Sequence, residues 1–113
     1  MIEISVSGLS ADGFSENGKF ELKVVGHALY SAKGNDIVCS AVSALFFTAQ
    51  SAFVKIAGCR IEIMVSENES FLRFSPLDCD DLKALIIAET VIVGLARIAD
   101  NYPEHCKIKI VRS

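Results

Sequence analysis

The chain has 113 residues, of which 51% are hydrophobic, and a formal net charge of −3 at neutral pH. This length fits one domain with its own core. The acidic balance argues against a general nucleic-acid binder, because such proteins normally present a basic face. The mean hydropathy of +0.42 is high for a small soluble protein, so we expect apolar surface to remain for a partner.

The four cysteines are typical of a protein in a reducing compartment rather than of a fold held together by disulfides. They are Cys39, Cys59, Cys79 and Cys106, and no two of them form a C-x-x-C pair. A strand pattern begins at the first residues without a stretch that resembles a signal peptide. We therefore expect reduced thiols in the cytoplasm.

The sequence also argues against a membrane-spanning helix and against a zinc site. Residues 84 to 96 are nearly all apolar, but this run is too short for a bilayer and contains Glu89. The adjacent pair His105 and Cys106 lacks the spacing of zinc ligands. We expect neither a membrane span nor a metal.

The first half of the chain predicts a hairpin followed by a helix. Residues 2 to 6 and 19 to 25 alternate between apolar and polar side chains, as half-buried strands do, and the segment between them is rich in Gly, Ser, Asp and Asn. Residues 26 to 35 show no period and form a loop. From Asp36 to about Val54 apolar residues recur at helical spacing, with Asn35 or Asp36 as the N-cap. The apolar positions of this helix are Val38, Val42, Leu45, Ala49 and Phe53.

The second half repeats the order. Residues 61 to 65 and 71 to 74 predict two strands, and residues 107 to 112 predict a last one. Residues 80 to 99 predict a helix that is apolar around much of its circumference, which favours a dimer interface. One side of it carries Leu82, Leu85, Ile86, Glu89, Ile92, Val93 and Ala96. The order ββαββαβ predicts a single α+β domain over residues 1–113, with two helices packed on an antiparallel or mixed sheet of about five strands.

Cys39 is the first candidate for chemistry. It falls in the first turn of the first predicted helix, where unpaired N–H groups and the helix dipole stabilise a thiolate and can hold an oxyanion. A helix N-terminus with a nearby histidine can lower a thiol pKa from roughly 8.5 to about 3.5–7.5. The alternative is a small core residue, which is the commoner role of a cysteine in an apolar helix.

His27 is the second candidate. It stands where the second strand ends, twelve residues before Cys39 and across a loop that contains Gly34. A strand end beside the helix start would bring the imidazole close to the sulfur, and a Cys–His pair is the minimal apparatus for acyl transfer by a thiol. The alternative is a structural or merely exposed histidine.

These residues resemble a known family. The motifs are G-H-A followed by G-x-D-I-V-C-x-A-V-S, within GHALYSAKGNDIVCSAVS from Gly26 to Ser43, and they are similar to those of the bacterial ribosomal-processing cysteine proteases called Prp. Tyr102-Pro103 with the alternating Ile108 and Ile110, the chain length and the element order also resemble that family. Two departures are Leu29, where a small residue is expected, and Ser40, where alanine is more usual.

The resemblance implies a homodimeric cysteine endopeptidase of the cytoplasm. Such an enzyme removes the N-terminal extension of large-subunit ribosomal protein twenty-seven, after an aromatic residue, in the service of ribosome assembly. It implies Cys39 as nucleophile and His27 as base. The partner would be the ribosomal protein precursor, with no cofactor and no direct contact with nucleic acid or membrane.

Four residues are candidates for supporting roles. Asp36 could orient His27 or simply cap the helix. Ser43, one helical turn after Cys39, could support the thiolate or bond back to a helix carbonyl. Gly26 and Gly34 are expected to serve backbone geometry. The loop from 28 to 34 could act as a lid over the cleft.

Two other classes of function remain open on the sequence. One is a non-enzymatic dimeric protein that binds the ribosome or its assembly partners, which the acidic balance and apolar surplus would allow. The other is a thiol redox protein that uses Cys39, although no resolving cysteine lies near it in sequence.

Overall fold

A single five-stranded sheet with two helices on it forms the molecule, in a computed structural model that describes residues 1–16, 18–26 and 37–113. The elements in chain order are β1 (Ile2–Leu9), β2 (Phe20–Val25), α1 (Ile37–Lys55), β3 (Glu62–Val65), β4 (Glu69–Phe74), a 3-10 turn (Pro76–Asp78), α2 (Asp81–Asn101) and β5 (Cys106–Arg112). The predicted order ββαββαβ and the α+β class are confirmed. The predicted helix cap at 35 or 36 and the candidate lid lie outside the described residues.

The sheet is mixed, with strand order β3-β4-β2-β1-β5. All neighbours are antiparallel except β1 and β5, which run parallel. The register places Val6 beside Leu22, and Leu22 beside Leu72. Each of these three side chains is at most 1% exposed, so the alternation turns one face of the sheet toward the helices.

The first helix buries the side that the sequence predicts, except that Phe46 rather than Leu45 is fully buried. Its buried residues are Val38, Cys39, Val42, Phe46, Ala49 and Phe53. Leu45, a predicted core position, is half-buried and packs beside Gly94 of α2. Among the described residues, α1 is the one helix long and apolar enough to cross a membrane, but its packing against the sheet is that of a core helix.

The second helix packs one apolar side into the core and leaves another apolar side exposed. Its buried residues are Ala84, Ala88, Val91, Ile92, Leu95 and Ala99. By contrast Leu82, Ile86 and Val93 are 66%, 57% and 70% exposed, so the apolar side that carries these three residues is not covered within the single chain. Small side chains at Ala84, Ala88 and Gly94 let α2 approach its neighbours closely.

Gly8 in β1 is the backbone position most sensitive to substitution. Its φ is +91°, and a Cβ there would lie 2.2 Å from the Lys19 carbonyl oxygen. We expect Gly8→Ala to lower the free energy of unfolding by at least about 2 kcal/mol, because both the left-handed conformation and the backbone clash oppose a side chain. Urea unfolding at 25 °C measures this.

Gly13 in the following loop is the matched control for this substitution. A Cβ there would meet only the Ser10 hydroxyl, at 3.9 Å. Gly13→Ala is therefore expected to leave stability within about 0.5 kcal/mol of the original. Equal effects at the two glycines would contradict the argument for Gly8.

Candidate active site

The described candidate residues Gly26, Cys39 and Ser43 are carried by elements that meet at one end of the sheet, here called the site end. The strands β2 and β3 end there, and β1, β4 and β5 begin there, as the pairing of Val25 with Glu69 and of Ile2 with Cys106 shows. Helix α1 also begins at this end, because Phe53, close to its last turn, contacts Phe20 and Phe74 at the opposite end of the sheet. Cys39 and the exit of β2 toward His27 therefore lie at the same end of the molecule.

Cys39 occupies the third position of α1 and is 8% exposed. The first-turn N–H groups of a helix are not bonded within it, and the dipole there favours a negative charge. Within α1, which the structure describes throughout, the first turn carries no acidic side chain to oppose a thiolate. Ser43 is half-buried one turn later, on the same face of the helix.

Gly26 determines how the chain leaves β2 immediately before His27. Its N–H donates a hydrogen bond of 2.9 Å to the carbonyl of Asn68, in the β3–β4 turn. Its φ is +121°, and a Cβ would lie 3.1 Å from the Met1 carbonyl oxygen. Both facts favour glycine here, so the point from which the His27 segment departs is held in place by two neighbouring pieces of backbone.

The start of β4 contributes a residue, Ser70, that the sequence patterns did not indicate. Ser70 is only 2% exposed on the inward face of β4, beside Val24. Its hydroxyl accepts a 3.3 Å hydrogen bond from the Ser66 N–H, and the Ser66 hydroxyl bonds the main chain of Glu69. These hydrogen bonds stabilise the β3–β4 turn, in which the Asn68 carbonyl accepts the hydrogen bond from the Gly26 N–H. A polar residue at an inward position of an alternating strand was the available signal, but the predicted strand began at residue 71, two residues after the start of β4.

Tyr102 is also at the site end, where α2 stops. Its N–H closes the helix on the Ile98 carbonyl at 2.9 Å. Its own carbonyl accepts the N–H groups of His105 and Cys106 at 2.9 and 3.0 Å. This turn starts β5 directly beside β1, so the Tyr102-Pro103 motif lies at the same end of the fold as Cys39.

The other candidate residues and the other three cysteines are not part of the described site. His27, Gly34 and Asp36 lie outside the described residues. Cys106 is 1% exposed at the start of β5, and burial raises the pKa of its thiol. Cys59 and Cys79 lie at the opposite end, where the Asp80 N–H bonds the Ala57 carbonyl at 2.9 Å. Within residues 1–16, 18–26 and 37–113, no three His, Cys, Asp or Glu side chains come together as a potential metal site.

Comparisons with known proteins agree on one family. The family model "Cysteine protease Prp" matches residues 1–107. The ribosomal processing cysteine protease Prp of Bacillus subtilis strain 168 is 28% identical over 97 residues, covering 82% of this chain and 87% of that protein. The Mycoplasma genitalium protein of the same name is 34% identical over 84 residues, covering 74% and 80%.

Solved structures share the fold. A Staphylococcus aureus Prp, crystallised with a covalently linked product peptide, superimposes with a TM-score of 0.75 at 24% identity, covering 98% of this chain and all of that one. A Streptococcus mutans crystal structure gives a TM-score of 0.76 at 24% identity, covering all of this chain and 96% of that one. From the match of the family model over residues 1–107 it follows that the chain belongs to the Prp family of ribosomal-processing cysteine proteases.

Proposed function

We propose that this cysteine protease removes the N-terminal extension of large-subunit ribosomal protein twenty-seven by cleaving after an aromatic residue. The observation that carries the proposal is the position of Cys39, in the first turn of α1 at the end of the sheet where β2 leads into His27. The peptide complex of the Staphylococcus aureus relative supports a peptide substrate. A cytoplasmic location follows from a ribosomal protein substrate, and reduced thiols suit that compartment.

In the proposed mechanism the Cys39 thiolate attacks the scissile carbonyl carbon. The carbonyl oxygen becomes an oxyanion, which N–H groups at the start of α1 can stabilise. His27 then gives a proton to the leaving amine as the tetrahedral intermediate collapses to a thioester. Water, deprotonated by His27, attacks the thioester carbonyl, and the C–S bond breaks to release the extension as a carboxylic acid, which ionises in solution. The Cys39 thiolate and the protonated His27 are thereby restored.

The supporting residues have distinct roles in this proposal. Gly26 positions the His27 segment through its bond to Asn68 and its contact with Met1. Ser43 lies on the Cys39 face of the helix and supports the thiolate, or bonds back along the helix. Asp36 either orients His27 or caps α1, and Gly34 gives its loop the backbone freedom to close over substrate.

Cleavage of the organism's own precursor tests the proposal. The purified chain is incubated with a peptide that spans the extension and the first residues of the mature protein, and the products are identified by mass spectrometry. A single cut after an aromatic residue supports the proposal, and replacing that residue with alanine should abolish the cut. Binding without cleavage would instead favour a non-enzymatic ribosome-associated protein.

The exposed side of α2 supports a second part of the proposal, a homodimer. Leu82, Ile86 and Val93 are more than half exposed in the single chain. A second copy that packs the same side of α2 against this one would bury all three on both chains, because twofold interfaces use one patch twice. No cofactor, nucleic acid or membrane enters the proposed function.

We expect Val93→Asp to dissociate this dimer, because the interface would place two carboxylates in an apolar contact. Light scattering at micromolar concentration should give twice the chain mass for the unaltered protein and close to the single mass for the variant. Lys109→Asp changes an exposed residue of β5 on the opposite face of the sheet and should leave the dimer intact. A monomeric unaltered protein with full activity would contradict the dimer.

A further inference from the structure

A second pair of thiols lies at the end of the sheet opposite Cys39. Cys59 follows α1 after the left-handed Gly58, and Cys79 immediately precedes Asp80, the N-cap of α2. The two thiols are neighbours that influence one another, since each contributes to the shift of the other's pKa. The Cys79 thiol in turn donates to the Ser75 carbonyl, with the sulfur 3.5 Å from the oxygen. The two cysteines therefore lie close together, although they are twenty positions apart in sequence.

The main chain holds both cysteines where they are. The Cys59 N–H bonds the Phe53 carbonyl, and the Asp80 N–H bonds the Ala57 carbonyl, each at 2.9 Å. The second of these bonds ties the segment that carries Cys59 directly to the one that carries Cys79. A disulfide forms without strain only where the backbone already brings the two cysteines together, and the bond from Asp80 to Ala57 joins the two segments that carry them.

The two thiols differ in access. Cys59 is 5% exposed, whereas Cys79 is half-buried and lines an open hollow of about 710 Å³ with Phe14, Lys19 and Pro76. A small reagent therefore reaches Cys79 first. Burial raises the pKa of both thiols, and the carboxylates of Asp78 and Asp81 add to the effect on Cys79. The pair is thus a slow thiol site rather than an activated nucleophile.

We infer that Cys59 and Cys79 form a redox pair that closes to an intramolecular disulfide when it meets a low-molecular-weight disulfide. The Cys79 thiolate attacks one sulfur of the reagent, which releases one thiolate and leaves a mixed disulfide on Cys79. The Cys59 sulfur, losing its proton, then attacks the Cys79 sulfur and releases the second half of the reagent. Two protein thiols are oxidised, one reagent disulfide is reduced to two thiols, and the two protons pass to those thiols.

The bond would join the end of α1 to the start of α2. Closing a loop of about 20 residues restricts the unfolded chain, so we expect the oxidised form to melt about 5–10 °C higher than the reduced one. Cys39 lies near the other end of α1, about 24 Å along the helix axis. The pair therefore reacts independently of the proposed nucleophile.

The test treats the Cys39→Ala protein with glutathione disulfide, blocks remaining thiols by alkylation and maps the peptides by mass spectrometry. We expect a linked peptide pair containing Cys59 and Cys79, a single alkylated residue at Cys106, and a higher Tm that dithiothreitol reverses. Because the Cys39→Ala protein keeps both thiols of the pair, the result does not depend on whether a variant of the pair folds.

Two variants separate this pair from chance oxidation. Cys59→Ser should stop at the mixed disulfide on Cys79, while Cys106→Ser should still form the linked pair. Both cysteines recovered in alkylated form after prolonged treatment would overturn the inference. So would glutathione retained on Cys79 of the Cys39→Ala protein beside an alkylated Cys59.

Discussion

Cys39→Ala is expected to reduce the rate of precursor cleavage by on the order of 10⁴ to 10⁶, which is the scale of losing the nucleophile in a catalytic unit. Alanine has no group that can form the thioester, so any residual rate comes from binding and oxyanion stabilisation alone. The fold should survive, because alanine suits a helix and removes only one sulfur atom from a position that is 8% exposed. Single-turnover cleavage of the precursor peptide, followed by mass spectrometry, measures the loss.

Two further substitutions serve as comparisons for Cys39→Ala. Cys39→Ser keeps a similar shape with a much weaker nucleophile and should be almost as inactive. Cys79→Ser removes a half-buried thiol at the opposite end of the sheet and should cleave at the normal rate. Circular dichroism and the melting temperature check that each variant is folded. Near-normal proteolysis by a folded Cys39→Ala protein would end the assignment of the nucleophile.

His27→Ala is expected to lower kcat by about 10² to 10⁴, the usual contribution of a positioned general acid and base. Without the imidazole the leaving amine receives no proton as the thioester forms, and the attacking water has no base. KM should change much less, since the proposed role lies in proton transfer rather than in peptide binding. Steady-state kinetics on the precursor peptide give both values, and added imidazole should restore part of the lost rate.

The second histidine provides the matched control. His105 is exposed at the same end of the sheet, where its backbone carbonyl accepts the Ile2 N–H at 2.8 Å. That contact needs no imidazole, so His105→Ala should keep both kcat and KM. If His105→Ala proved inactive and His27→Ala active, the base would have to be reassigned.

Local patterns were enough for the elements and the candidate chemistry. Alternation in residues 2 to 6 and 19 to 25 depends only on the period of a strand, which is a property of neighbouring residues. The same holds for Val38, Val42 and Phe53 on α1, which are spaced for one side of a helix and are buried in the structure. Cys39 could be proposed from a helix start, and His27 from a strand end, without any knowledge of distant contacts.

Contacts between distant segments determined the rest. Helix α2 is apolar on most sides, so its periodicity could not show that Ala84 and Ala88 would pack inward while Val93 stays exposed. The choice depends on how closely α1 can approach, and Leu45 against Gly94 sets that distance. A helical pattern identifies a side that is able to pack, but only its neighbours determine which side does.

The contacts at the two ends of the sheet likewise depend on the tertiary structure. Ser70 matters because Ser66 and Asn68 link its turn to Gly26, far away in sequence. Cys59 and Cys79 form a pair because the backbone bond from Asp80 to Ala57 joins the end of one helix to the start of the other. Periodicity and composition indicate which side chains a segment can bury and which hydrogen bonds it can donate. Which segments come into contact depends on how the chain reverses direction between them, and that geometry is not contained in any local pattern.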